Sequence, residues 1–314
     1  MDFESYRDID GVWMHKFFRE ENIRSAMEYK PRSDDVFIVT YPKCGTNWMQ
    51  YIVCNILSRA NLPVDIGEYT LNSPFIDLTG AKVVEYPSRR GPILTHLPLH
   101  VFPPVDKPKY IYVARNPYDC AVSFYYFILG MTPKSVTDVS FGRFVDGFIS
   151  GKVLYGDYFN HLIPWYGHRG DANVLFVTYE ELKADLRGQV LRIAEFLGEE
   201  HGKALRQDEE LLMRILDACS VAHMKVFFKD KPEDRMKKMI QSASRLSGGD
   251  QTLMEKPLSW DTERHEGCGY VRKGIVGDWK NHFTTDQIVR VKQWIAEKTR
   301  CSDVMALWSA LDLP

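Results

Sequence analysis

Residues 35–49 read Asp35-Val36-Phe37-Ile38-Val39-Thr40 and then Tyr41-Pro42-Lys43-Cys44-Gly45-Thr46-Asn47-Trp48-Met49. The first run is apolar and β-branched and predicts a buried strand. Pro42 and Gly45 mark a tight turn, and a helix is expected to start at Thr46. A strand feeding a short loop and a helix start turns unpaired backbone N–H groups outward beside the positive end of a helix dipole. Lys43 adds a full charge, and Thr46 adds a hydroxyl placed to cap the helix. The loop is therefore expected to hold an anion. The G-x-x-x-x-G-K-[ST] loop of nucleotide triphosphatases occurs nowhere in the 314 residues; here the lysine precedes the glycine and the loop is shorter.

Three further runs, 92–95, 109–114 and 173–178, are nearly continuously apolar, as expected for parallel strands covered on both faces. Helices are expected over 46–60, 117–130, 180–198, 208–218 and 285–299. Alternating strands and helices predict an α/β fold with a central parallel sheet flanked by helices. In such sheets ligands bind beyond the carboxyl ends of the strands. No Ser/Gly tract, charge block or repeat marks a linker, so residues 1–314 are expected to form a single domain. The mixed, charged and Gly/Ser-containing stretch from about 225 to 270 reads as a long lid-like loop.

A net charge of −2 gives no global basic field to attract nucleic acid, so any anion site must be local. No run approaches the ~20 apolar residues of a membrane span. The start, Met1-Asp2-Phe3-Glu4-Ser5, lacks the basic and apolar regions of a signal peptide. The six cysteines (44, 54, 120, 219, 268 and 301) show no C-x-x-C spacing. They are expected to be free, inert thiols in a reducing cytoplasm, with no zinc site.

A second signal lies near the far end of the sequence. Residues 272–280 read Arg272-Lys273-Gly274-Ile275-Val276-Gly277-Asp278-Trp279-Lys280. Two adjacent cations followed by two glycines three apart suggest another loop that closes on a phosphate. Between the two signals, His96 ends the second predicted strand and is followed by Pro98. An imidazole with an ordinary pKa near ~6.5 suits general-base work. His100, four residues on, would make a metal pair only on a helix, and Pro98, Pro103 and Pro104 break one there.

The segments P-K-C-G-T-N-W and R-K-G-I-V-G-D-W-K, with T-H-L-P around His96, resemble the signatures of the cytosolic sulfotransferase family. The resemblance runs from about residue 30 to 300. It implies a phosphate-loop, sulfotransferase-like architecture. It also implies 3′-phosphoadenosine 5′-phosphosulfate (PAPS) as cofactor, PAP as its product, and no metal. In that family the residues matching Lys43, Cys44, Gly45, Thr46, Asn47 and Trp48 hold the 5′-phosphosulfate, with Trp48 stacked on adenine. Arg115 and Ser123 match the pair that binds the 3′-phosphate, together with Arg272, Lys273 and Gly274. Tyr179 matches the tyrosine at the adenine edge, and Cys219 and Met224 match further cofactor positions. His96 is implied as general base. Lys43 is implied to neutralise the bridging oxygen, and Ser123 to restrain Lys43 until an acceptor arrives. Phe75, Tyr126 and Phe127 match acceptor-pocket positions beside His96.

Three positions depart from the pattern. Leu94 stands where a lysine is common. Val221, in Cys219-Ser220-Val221, replaces a phenylalanine that sandwiches adenine. The dimer motif, here Lys280 … Thr284-Thr285 … Val289, loses its apolar and acidic members, so a homodimer is possible but its usual interface is altered. Met131 stands where a carboxylate would favour a cationic amine, and the acidic Asp77 and Glu85 are unplaced. The expected partner is a small-molecule acceptor: a phenol, then a phenolic amine, then a hydroxysteroid. The competing readings are a PAP(S)-binding protein with little activity and a nucleotide-dependent kinase. The kinase would need a magnesium-binding hydroxyl directly after the loop lysine.

Overall fold

The computed structural model describes residues 5–63, 65–86, 89–131, 139–229 and 271–314, with 234, 238 and 241 as single positions between them. A small antiparallel hairpin comes first, β1 (Tyr6–Ile9) with β2 (Val12–His15). Its two turn residues, Asp10 (φ 51°) and Gly11 (φ 82°), are both left-handed, the geometry that matches the twist of a two-residue hairpin. The main sheet follows: β3 (Val36–Thr40), β4 (Ile93–Thr95), β5 (Lys109–Ala114) and β6 (Val174–Thr178). All its neighbours are parallel and the order is β4-β3-β5-β6.

Side chains alternate strictly between two cores. Phe37, Val39, Tyr110, Tyr112 and Phe176 enter one, while Ile38, Ile111, Val113 and Leu175 enter the other. Both faces are covered, so each strand reads as a continuous apolar run. The helices are α1 (Glu20–Glu28), α2 (Thr46–Ser58), α3 (Ile66–Asn72), α4 (Ile76–Thr79), α5 (Ala81–Val84), α6 (Pro117–Met131) and α7 (Phe141–Ile149). They continue with α8 (Tyr158–Gly167), α9 (Tyr179–Ala184), α10 (Leu186–Leu197), α11 (Glu199–Gln207), α12 (Glu209–Ala218), α13 (Val221–Phe227) and α14 (Thr285–Lys298). Because β4 lies on one side of β3 and β5 on the other, the strand order reverses beside β3. The crevice at the carboxyl end of β3 is thus the topological switch point.

The expected strands and helices lie where the sequence put them, with three corrections. The helix expected over 180–198 is two, because Asp185 (φ −143°) leaves the helical region and its carboxylate accepts from Gly188 N–H, starting α10 afresh. Thr46 does not cap α2: Gly45 (φ 114°) is the cap residue, with no side-chain bond, and the Thr46 hydroxyl turns to Thr40 Oγ1 at 2.7 Å. Residues 225–227 belong to α13 rather than to a loop. Most of the expected lid, and Cys268, lie outside the described residues. Among the described residues the cysteines are free thiols, with only Cys301 exposed.

Candidate active site

The first loop is shaped by its backbone. Lys43 (φ 70°) and Gly45 (φ 114°) are both left-handed. A Cβ on Gly45 would stand 3.1 Å from the Tyr179 ring, so glycine alone lets the loop lie against Tyr179. Lys43 Nζ sits 4.4 Å from the centre of the Phe127 ring. The Cys44 thiol points the other way: it is fully buried, 3.8 Å from Cys120 Sγ and behind Pro42.

The second loop is drawn onto the first. Asp119 of α6 accepts Gly277 N–H at 2.7 Å and Trp279 N–H at 3.0 Å. Arg115, at the end of β5, lies on the Tyr179 ring at 4.2 Å. It donates to the Lys43 carbonyl (3.4 Å) and the Ile275 carbonyl (3.2 Å), bridging the two loops. Arg272 and Lys273 both pair with Asp278, at 2.6 and 2.8 Å. Burial opposes ionisation there, but the hydrogen bonds from Lys273, Arg272 and Asn281 hold the Asp278 carboxyl well below the usual range. Gly274 (φ 68°) packs against Val221, whose methyls would meet an added Cβ at 3.1 Å. The Nε–H groups of Arg115 and Arg272 are buried without an acceptor. Two unsatisfied guanidinium donors, two left-handed glycines and three loop cations form a donor set that fits a multiply charged anion.

His96 projects from the end of β4. Its Nδ1 lies 2.7 Å from the Thr40 carbonyl and 3.0 Å from the Thr40 hydroxyl; the nearer carbonyl only accepts and the hydroxyl has Thr46 Oγ1 as a partner, so Nδ1 is assigned the proton and Nε2 the lone pair. Phe75 and Tyr155 meet the ring edge-on at 4.9 and 5.2 Å. Burial lowers its pKa to about 4, the Lys43 charge adds to the drop, and the Thr40 contact opposes it. At neutral pH the ring is an uncharged base.

One cavity of about 260 Å³ joins these parts. Lys43, Gly45, Thr46, Asn47, Trp48, Phe75, His96, Arg115, Ser123, Phe127, Tyr179, Met224, Arg272, Lys273 and Gly274 all line it. Three expected residues do not. Cys44 lies behind its loop. Cys219 acts through its carbonyl, which takes the Trp48 indole N–H at 3.0 Å. Tyr126 stacks under Arg272 at 4.7 Å, because its place on α6 turns it toward the second loop rather than the acceptor side. Sequence reasoning missed Phe17, Phe18, Gln50, Leu78, Leu154 and Tyr155 on the wall, since no local pattern separates them from ordinary core residues. Among the described residues no cluster of ligating groups could hold a metal.

An open parallel sheet with a phosphate cradle at its switch point, a second cationic loop over the cradle and a neutral histidine between them defines a nucleotide-dependent group-transfer enzyme. The protein belongs to the sulfotransferase family: the Sulfotransferase domain matches residues 33–303. It is 37% identical over 265 residues to Sulfotransferase 2B1 of Mus musculus, an alignment that spans 82% of the present sequence and 68% of the mouse one. It is 36% identical over 279 residues to the 3-alpha-hydroxysteroid sulfotransferase of Cavia porcellus, spanning 86% and 85% respectively. The crystal structure of mouse SULT7A1 complexed with PAP superposes with a TM-score of 0.70 at 26% identity, covering 96% of both proteins. The protein is a PAPS-dependent sulfotransferase.

Proposed function

We propose that this single sulfotransferase domain sulfonates the hydroxyl of a small, largely apolar acceptor, a phenol first, with His96 as general base. The observation that carries the reading is that His96 Nε2, fixed as the lone-pair nitrogen, shares a cavity with Lys43 and both phosphate-type loops. When bound, PAPS supplies the sulfonate and departs as PAP. Gly45, Thr46 and Asn47 would hold its 5′ end on the α2 N-terminus; Arg115, Ser123, Arg272, Lys273 and Gly274 would take the 3′-phosphate; Trp48, Tyr179 and Met224 would flank the base. His96 Nε2 accepts the proton of the acceptor hydroxyl as its oxygen joins sulfur. Lys43 Nζ would meet the charge on the bridging oxygen, which stays on the 5′-phosphate of PAP as its bond to sulfur breaks, and Ser123 would restrain Lys43 until the acceptor arrives.

The acceptor side is walled by Phe17, Phe18, Phe75, Phe127, Leu154 and Tyr155, and among the described residues no acidic one lines the cavity. That disfavours a cationic amine. A base with a pKa of about 4 is matched better to a hydroxyl that ionises near ~10, as the tyrosine phenol does, than to an aliphatic alcohol. A hydroxysteroid is the second reading, favoured by the likeness to the 3-alpha-hydroxysteroid enzyme. The reading takes the cytoplasm as the working compartment, on the resemblance to the cytosolic family; among the described residues no helix is long and apolar enough to cross a membrane.

The test is transfer from PAPS to a panel of simple phenols, arylamines and 3-hydroxysteroids, with His96→Ala alongside. Turnover of phenols above the others, lost by at least ~100-fold in His96→Ala with PAP affinity intact, is expected. Steroid turnover alone replaces the first reading with the second. Tight PAP binding with no transfer to any acceptor leaves a binding protein.

A further inference from the structure

The most enclosed carboxylate beside the cavity takes no direct part in the transfer. Asp77, in the first turn of α4, is fully buried. Among the described residues no lysine or arginine pairs with it. Its three partners are neutral donors. Oδ2 accepts from His96 N–H at 2.8 Å and from the Tyr155 hydroxyl at 2.8 Å. Oδ1 accepts from the Thr95 hydroxyl at 2.7 Å, whose oxygen in turn accepts from Leu97 N–H at 3.0 Å. The far side of His96 is also held. His161 Nε2–H donates to the His96 carbonyl at 3.1 Å, and Nδ1 of that ring accepts from the Tyr112 hydroxyl at 2.9 Å. With Nδ1–H of His96 on the Thr40 carbonyl, the base is fixed at its backbone N–H, its backbone carbonyl and its ring.

An isolated buried carboxylate is costly, and a neutral amide could meet one or two of these donors more cheaply. A carboxylate alone presents only acceptors, so it satisfies His96 N–H, Thr95 O–H and Tyr155 O–H at once. Tyr155 is part of the acceptor wall, edge-on to both His96 and Phe18. We propose that Asp77 is the positioning residue of this site: one ionised carboxylate ties the base and the acceptor wall together, and its protonation, not that of His96, sets the acid limit of activity. The proposal rests on the reading of His96 as base.

The environment supports that order of titration. Burial raises the Asp77 pKa to about 6, against the opposing pull of its Thr95, His96 and Tyr155 bonds. His96 lies lower, at about 4, and burial brings His161 to about 3. The titratable groups facing Asp77 are Tyr155 and His96, with His161 of α8 and Lys43 beyond the His96 ring. From α1, which packs on α4, the neutral Asn22 and Ser25 contact the α4–α5 backbone, while Arg24 pairs outward with Glu20 and Asp10. As pH falls through about 6, Asp77 gains a proton, one oxygen becomes a donor, and one of its three donors loses its acceptor.

The experiment is the pH profile of kcat/KM from about pH 4.5 to 8 for wild type, Asp77→Asn, Asp77→Ala and His96→Ala, with PAP affinity measured by calorimetry on each. Wild type is expected to show an acid limb near pH 6. Asp77→Asn cannot titrate but keeps an amide oxygen for His96 N–H and Tyr155 O–H, so it should retain measurable activity and lose that limb. Asp77→Ala should lose roughly 100-fold in kcat, the scale of a misplaced catalytic group, with PAP affinity unchanged. An acid limb that persists unmoved in Asp77→Asn overturns the proposal. So does an equal loss of PAP binding and turnover in Asp77→Ala. If His96→Ala stays active, the His96 reading fails and the proposal with it; if His96→Ala is dead while the limb persists in Asp77→Asn, only the proposal fails.

Discussion

Residues 42–48 are consecutive, and all but Cys44 line the cavity; its apolar lining takes Phe18, Phe75, Phe127 and Tyr155 from four separate segments. The first wall is made by backbone: left-handed φ at Lys43 and Gly45, and N–H groups at the start of α2. The second is made by aromatic side chains that only the fold brings together. An anion site built on one loop and a helix N-terminus draws its peptide groups from adjacent residues, whereas an apolar wall needs only bulk from any direction. If that contrast is right, the nucleotide wall should be sensitive to backbone conformation and indifferent to side chains that point away from it.

The largest effects, equal in their upper range, are expected at Gly45 and Arg272. At φ 114°, with Tyr179 3.1 Å from where a Cβ would stand, Gly45→Ala must shift the loop. A strained residue costs about 1–3 kcal/mol, so the calorimetric Kd for PAP should rise by roughly 5- to 150-fold with the fold retained. Normal affinity in Gly45→Ala would mean that the loop is not held by its backbone.

The other is Arg272, whose guanidinium is supplied by the second loop. Its Nε–H is buried without an acceptor and its Nη2 is held by Asp278. Charge-assisted bonds contribute about 1.5–3 kcal/mol, so Arg272→Ala should weaken PAP by roughly 10- to 150-fold. Binding of 5′-AMP, which lacks the 3′-phosphate, should barely change. Equal weakening of both ligands would remove Arg272 from the 3′-phosphate site and leave the second loop as much a matter of general electrostatics as of placement.

The same contrast explains what is legible in the sequence. The strand runs before Tyr41, before Arg115 and before Tyr179 end within one residue of their expected places, because a two-sided parallel sheet leaves an uninterrupted apolar signature. Both phosphate-type loops are legible because glycine and lysine at fixed offsets record backbone geometry. Asp185 breaks a helix that apolar periodicity alone would carry through, since a single carboxylate cap outweighs the small propensity differences around it. Asp77 is visible in the sequence but has no place there, because its partners Thr95, His96 and Tyr155 lie 18 to 78 residues away. Tyr126 and Phe127 are neighbours on α6, yet one faces Arg272 and the other the cavity; successive helix positions diverge by about 100°, so a match in sequence does not settle which of the two lines the wall.

The smallest effect is the most discriminating. Cys44 sits inside the phosphate loop, and the sequence alone places it among the cofactor contacts. In the fold its Sγ is buried against Cys120 and the Pro42 carbonyl, and burial pushes its thiol well above the ordinary range. Such a thiol is a poor nucleophile. Cys44→Ser replaces it with a hydroxyl buried beside the Cys120 thiol, its nearest polar neighbour at 3.8 Å. A buried polar group with a partner costs only about 1 kcal/mol on protein scales, so melting temperature should drop by a few degrees. PAP affinity should stay within about 2-fold, since roughly 0.4 kcal/mol is the most that an uninvolved residue is expected to change it. A tenfold loss of affinity at unchanged stability would show that the loop reads its side chains as well as its backbone, and the distinction between the two walls would then narrow to one of sequence distance.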